Sequence, residues 1–155
     1  MVLAKLGRRD HTEKELVTWL ERKLVPDAAI ERALAKVKEQ GLVDDRRFAE
    51  RRARGAAAAG LRGPRRLVAA LRQKGVSSET ATAVAKEAFA PTSDLEDNLV
   101  KLAGRLLRRA RAETSRERRM KALRSMVTRG FDLSESRRAI ARAEKEATDG
   151  GPDGA

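Results

Sequence analysis

One ten-residue pattern occurs three times in this chain, and it governs what the chain can fold into. It reads Leu16-Val17-x-x-Leu20-x-x-Lys23-Leu24-Val25, then Leu67-Val68-x-x-Leu71-x-x-Lys74-Gly75-Val76, then Ala122-Leu123-x-x-Met126-x-x-Arg129-Gly130-Phe131. Leu20 and Leu71 are 51 residues apart, Leu71 and Met126 55. Apolar residues at this spacing fall on one face of a helix. The glycine that closes the second and third copies suits the left-handed residue that ends one. A second apolar stripe follows each copy: Ile30, Leu34 and Val37; Ala81, Val84 and Ala88; Ala139, Ile140 and Ala143. The unit is helix–helix–turn–helix. One such unit buries too little apolar surface to stand alone, so neighbours must stack. The expected fold is all-α. Three tandem three-helix, helix-turn-helix-like repeats (1–43, 44–91 and 92–147) form an elongated, curved body. A Gly/Pro-rich tail, 148–155, is expected to be disordered.

Local signals agree with the repeat. Helix formers dominate and β-branched runs are absent. Thr12-x-x-Glu15, Ser93-x-x-Glu96, Thr114-x-x-Glu117 and Asp132-x-x-Glu135 have the form of capping boxes. Pro26 and Pro64 suit helix starts, Ser77 or Ser78 suits an N-cap, and Gly41, Gly75 and Gly130 suit helix ends. The signals predict helices over 2–9, 13–23, 26–40, 44–59, 64–74, 78–89, 94–112, 115–129 and 133–147.

Chemistry has little to work with. There is no cysteine among the 155 residues. Disulfides, thiol nucleophiles and Cys-ligated metals are therefore excluded. The one histidine, His11, lies in a polar stretch and reads as a solvated surface residue. Asp44-Asp45 could ligate Mg²⁺, but at the first turn of a helix the pair reads as an N-cap. Gly60-Leu61-Arg62-Gly63 has the GxxG form used by KH domains, without the sheet they need. The glycines at 55 and 60 flank an alanine run and no Gly-Lys-Ser/Thr follows, so there is no P-loop. No cofactor and no enzymatic activity are expected. No apolar run approaches a membrane span and no signal peptide is apparent, so a cytoplasmic protein is expected.

Charge is the remaining signal. The chain has 35 Lys and Arg against 23 Asp and Glu, a net of +12. The first repeat is near balance at +2, the second and third carry +6 each, and the tail carries −2. GC-rich coding also favours Arg over Lys, but it does not account for the net charge. Arg46, Arg47, Arg51, Arg52 and Arg54 lie on one helix, and Arg62, Arg65 and Arg66 start the next. Arg105, Arg108, Arg109 and Arg111 end a third; Arg116, Arg118, Arg119 and Lys121 open a fourth across a single turn. Some of these can pair along the helix, as Arg109 with Glu113 and Glu117 with Lys121. The clusters together suit a polyanion.

Several stretches together resemble the RecX family, bacterial modulators of the RecA recombinase. Gly41-Leu42-Val43-Asp44-Asp45-Arg46-Arg47-Phe48-Ala49 is similar to the family's most recognisable segment. Gly63-Pro64-Arg65-Arg66-Leu67, the Leu71-x-x-Lys74-Gly75-Val76 run and Arg129-Gly130-Phe131 match further blocks. The resemblance spans about residues 3–147. Leu24 departs from it, standing where the first repeat usually has glycine, and so does Arg52, where tyrosine is common. Asp44, Asp45, Phe48, Gly75, Gly130 and Phe131 carry over as a structural signature only.

The resemblance implies a non-enzymatic monomer that binds RecA and the RecA–DNA filament groove. Such a protein limits filament extension, ATP hydrolysis, strand exchange and LexA cleavage, and it also binds single- and double-stranded DNA. From charge alone, the residues expected at DNA or RecA are Arg46, Arg47, Arg51, Arg54, Arg62, Arg65, Arg66, Arg105, Arg108, Arg109, Arg116, Arg118 and Arg119. The alternative is a general, sequence-tolerant DNA binder of nucleoid or helix-turn-helix type. Against it, no helix shows the mixed Asn/Gln/Arg/Ser face of a base-reading element.

Overall fold

The computed structural model describes residues 2–7 and 9–149. Nine α-helices and no strand occur among them: α1 (Val2–Leu6), α2 (Glu13–Glu21), α3 (Asp27–Glu39), α4 (Asp45–Ala59), α5 (Pro64–Gln73), α6 (Ser78–Ala88), α7 (Ser93–Arg109), α8 (Ser115–Thr128) and α9 (Leu133–Asp149). The N-caps explain most starts. The hydroxyls of Thr12, Ser77, Thr92 and Thr114 and the carboxylate of Asp44 each accept a backbone N–H three residues on. The cap of α7 is therefore Thr92, one residue before the expected Ser93, because Thr92 has the extended backbone that a cap needs. Asp132 caps α9. The Ser134 hydroxyl and N–H and the Glu135 N–H bond its carboxyl and hold it down at about 2.

α1 ends at Leu6 rather than at residue 9, and α7 at Arg109 rather than 112. α9 runs on through Thr148 and Asp149, two residues that the sequence suggested as tail. Residues 150–155 lie outside the described ones. The expected pairs Arg109–Glu113 and Glu117–Lys121 do not form. Lys121 instead donates to the Arg111 carbonyl, and Glu117 accepts the Glu113 N–H, closing the turn before α8.

Each helix set has its own core. Leu99, Leu102, Met126, Phe131 and Ile140 pack among α7, α8 and α9. Phe48, Leu67, Leu71, Val76 and Val84 pack among α4, α5 and α6. A smaller cluster holds Leu16, Val37 and Val43, with Leu6 and Leu34 against it. The three repeat-defining residues are all buried: Leu20 and Leu71 at 2% exposure and Met126 at 0%. Leu71→Ala and Met126→Ala are each expected to cost about 2–5 kcal/mol, read as a lowered urea midpoint.

The repeats join in series by one rule: the N-terminus of a middle helix abuts the C-terminal turn of the next middle helix. The α2 N-cap hydroxyl, Thr12 Oγ1, donates to the Lys74 carbonyl at 2.5 Å, and Lys14 lies over Gly75. One repeat on, the α5 N-cap amide of Gly63 donates to the Arg129 carbonyl at 2.8 Å, and the Arg65 amide reaches the Gly130 carbonyl at 3.3 Å. Gly75 and Gly130 have φ of 96° and 92°. The third such turn, after α2, carries Leu24 at φ 57° and 90% exposed. A non-glycine residue there costs about 1–2 kcal/mol.

His11 corrects the expected surface placement. It is 3% exposed, buried between α2 and the end of α5, beside Glu15 at 3.4 Å. Position 11 looks polar in sequence, but the joint of two repeats closes over it. Burial, then the nearby Arg9 charge, lowers its pKa from the usual value. The folded state therefore favours the neutral ring. Above about pH 6.5 this costs nothing; as pH falls below that, the unfolded chain takes the proton first and stability drops until the lower folded pKa is passed. The thermal midpoint should fall between about pH 7.5 and pH 5.5, and His11→Gln should flatten that fall.

Candidate nucleic-acid interface

Two clefts that share Gly104, Arg108, Ala143 and Ala147 form one groove over α7 and α9. The larger has a volume of about 610 Å³ and opens beside Gly60, at the end of α4. Lys101, Arg105 and Arg108 project into it from successive turns of α7. The other reaches the first turns of α8, where Ser115, Arg118 and Arg119 line it. The floor is made of small residues: Ala59, Gly60, Gly104, Ala143 and Ala147. A Cβ at Gly104 would stand 3.3 Å from the Arg108 guanidinium. A backbone bearing phosphates can approach such a floor closely.

The groove is positive because its acids are neutralised. Glu144 is held by Arg119 through two bonds of 2.6 and 2.7 Å. Glu146 is held by Arg142, which also bonds Asp97. Lys101, Arg105, Arg108 and Arg118 have no acidic partner among the described residues. The α8 N-terminus points partial positive charge to the same place. The arrangement can hold a polyanion.

The other arginines singled out by charge are distributed differently. Arg46 pairs with Glu50 and Glu87, and Arg51 with Asp10. Arg47 closes the end of α3 by donating to the Gly41 carbonyl at 2.7 Å. Arg65 and Arg66 belong to the joint with the third repeat: Arg65 lies 3.7 Å from Asp132, and Arg66 donates to the Thr128 carbonyl. Arg62 lines a separate cleft between α4 and α5 with Arg51, Arg52 and Lys74, and Arg52 lies over the Phe48 ring. Arg54, Arg109 and Arg116 are exposed and line none of these clefts.

The charge clusters in the sequence did not point to Lys101, Asn98 and Gly104. Their signal was a lone glycine inside a helical pattern with cations at 101, 105 and 108. Also unanticipated is a cationic cleft at the first joint, where Lys5 lies over the Trp19 ring near Lys14, Arg22 and His11.

The signature residues are structural here. Asp44 caps α4 at 2.9 Å, and Asp45 accepts the Glu13 N–H at 2.9 Å. Burial pushes the Asp45 carboxyl up, against the opposing pull of that N–H. Phe48 and Phe131 are core residues. No group of three potential metal ligands occurs among the described residues, and no described helix is long and apolar enough to cross a membrane.

Comparison with known proteins agrees with this architecture. Residues 1–36 match the family model of the first three-helix domain of RecX, and residues 44–84 that of the second. The regulatory protein RecX of Stenotrophomonas maltophilia strain R551-3 is 38% identical over 140 residues, covering 88% of this chain and 81% of that one. The RecX of Thermobifida fusca is 32% identical over 145 residues, 94% of this chain and 77% of that one. A RecX of Limosilactobacillus reuteri is 32% identical over 133 residues that make up 86% of this chain but only half of its own length. A crystal structure of a regulatory protein RecX superimposes with TM-score 0.81 at 30% identity, covering 90% of this chain and 69% of that one. RecX from Lactobacillus salivarius shares the fold, at TM-score 0.81 and 22% identity over 92% of each chain. With the tandem three-helix repeats, the two matched domains and these relatives together, the chain belongs to the RecX family of regulatory proteins.

Proposed function

We propose that this chain is a cytoplasmic negative regulator of the RecA recombinase, acting as a monomer on the RecA–DNA filament. It lies in the filament groove and limits extension, ATP hydrolysis, strand exchange and LexA cleavage. Family membership supports the regulatory role. The single structural observation that carries the rest is the groove of Lys101, Arg105, Arg108 and Arg118, cationic and without acidic partners among the described residues. A series of repeats offers several weak contacts along a filament, and linked contacts add through effective concentration. The protein should therefore prefer the filament to either component alone. The test is fluorescence anisotropy of the labelled chain against RecA, single-stranded DNA and the preformed filament. Tightest binding to the filament is expected; equal binding to DNA with or without RecA would leave a general DNA binder.

A further inference from the structure

The cationic cleft at the first joint holds the chain's one tryptophan. It has a volume of about 450 Å³ and is walled by α1, α2 and the C-terminal turn of α5. Glu15, Trp19 and Arg22 stand at three- and four-residue spacing on α2, so they share one face of that helix. Lys5, Arg9, Lys14, Arg22 and Lys74 line the cleft against a single carboxylate, Glu15. Glu15 is engaged by Arg9 at 3.4 Å and by Lys74 at 2.5 Å, while Lys5, Lys14 and Arg22 have no acidic partner among the described residues. Trp19 is half-buried and belongs to none of the three cores; Leu16, Val37 and Val43 pack the first repeat instead. The Lys5 ammonium lies 5.5 Å from the centre of the indole ring. An indole set among cations, outside a core, offers what a nucleobase needs: a π-face to stack on, with charge beside it for the flanking phosphates.

We propose that this cleft is a subsite for single-stranded DNA, in which Trp19 stacks one base and Lys14 and Arg22 hold the phosphates beside it. A base gains more on an indole than an exposed ammonium does. The base therefore displaces Lys5 from the ring and leaves it to the backbone. Bases in a duplex are stacked on one another and must be unstacked to reach the ring. The cleft thus selects single strands, whereas the α7–α9 groove offers only charge and a floor of small residues. The two share no lining residue. The subsite deepens the reading of the chain as a protein that acts on DNA, and rests on it.

The test uses the full chain and its own emission, because Trp19 is the only tryptophan and there is no tyrosine. The chain is titrated with a thymidine oligonucleotide, with the same strand lacking its bases, and with inorganic polyphosphate. The thymidine strand is expected to quench most of the Trp19 emission. The abasic strand and polyphosphate, which carry the charge without a base, are expected to leave it almost unchanged. Trp19→Leu keeps apolar bulk without the π-face. It should weaken single-strand binding about tenfold, read by anisotropy of the labelled strand, and leave duplex binding as in wild type. With Arg105→Glu, Arg108→Glu and Arg118→Glu together, the quench should move to higher DNA concentration and keep its amplitude. The proposal is overturned if the thymidine strand leaves the emission unchanged, if the abasic strand quenches equally, if Trp19→Leu binds single strands as wild type does, or if the quench vanishes in the groove variant. Anisotropy separates the two readings: a strand that binds without quenching removes the subsite alone, and a strand that does not bind removes the DNA reading with it.

Discussion

Gly63→Ala is expected to destabilise the protein by about 3–5 kcal/mol, although it adds one methyl group to a helix start. That methyl would stand 2.4 Å from the Gly130 carbonyl carbon and 2.5 Å from the Phe131 nitrogen. Both are backbone atoms, so no side chain can swing aside. Overpacking of this kind costs about 1–3 kcal/mol, and occasionally more. Forcing the two repeats apart also breaks the bonds from Gly63 and Arg65 to the Arg129 and Gly130 carbonyls, each contributing about 1 kcal/mol. Stability in a repeat series is a sum of unit and interface terms. Urea unfolding of the variant should therefore both begin earlier and broaden, as the third repeat uncouples from the second. Gly55 is the control. It lies within α4 with nothing within 4 Å of its Cβ position, so Gly55→Ala should stabilise by up to about 1 kcal/mol. Similar effects at the two positions would contradict the interlocked joint.

Reversing Arg105, Arg108 and Arg118 to Glu together should weaken binding to single-stranded DNA on the order of a hundredfold at low salt. The diagnostic is the salt dependence. Each phosphate neutralised contributes about −0.7 to the log–log slope on single strands. Losing three contacts should flatten the slope by about 2. Reversing Arg46 and Arg51, whose charges are already matched by Glu50, Glu87 and Asp10, should leave the slope unchanged. If the two sets behave alike, net charge and not the α7–α9 groove governs binding.

The repeat was legible because the same physical demand recurs at fixed spacing. Leu20, Leu71 and Met126 had to be buried, and Gly75 and Gly130 had to turn the chain. The helix starts were legible wherever a hydroxyl or carboxylate caps locally. The joints were not, because they are built by backbone groups and small residues far apart in sequence. Nothing in Gly60-Leu61-Arg62-Gly63 shows that Gly63 will face Gly130. The burial of His11 has the same origin: a polar stretch is covered by a neighbouring repeat. Charge clusters named many arginines but could not separate those spent within the fold, such as Arg47 and Arg66, from those left open, such as Arg105 and Arg108. That separation needs the positions of carbonyls and acids distant in sequence: the Thr128 carbonyl lies 62 residues from the Arg66 it engages, and Glu144 lies 25 from the Arg119 it neutralises.

Leu24 shows the reverse case. Its mismatch with the glycines of the other repeats was visible in sequence, yet its consequence was not. The structure keeps the left-handed turn despite the leucine, so the repeat geometry outweighs the local backbone preference.

The most direct measurement is the ATPase rate of RecA on single-stranded DNA, with increasing amounts of this protein and of its Arg105, Arg108 and Arg118 to Glu variant. A progressive loss of ATPase is expected with wild type, and a much larger amount of the variant is expected to be needed for the same loss. An ATPase rate unaffected by wild type would contradict the proposed regulation of RecA, and equal potency of the two proteins would contradict the role given to the groove.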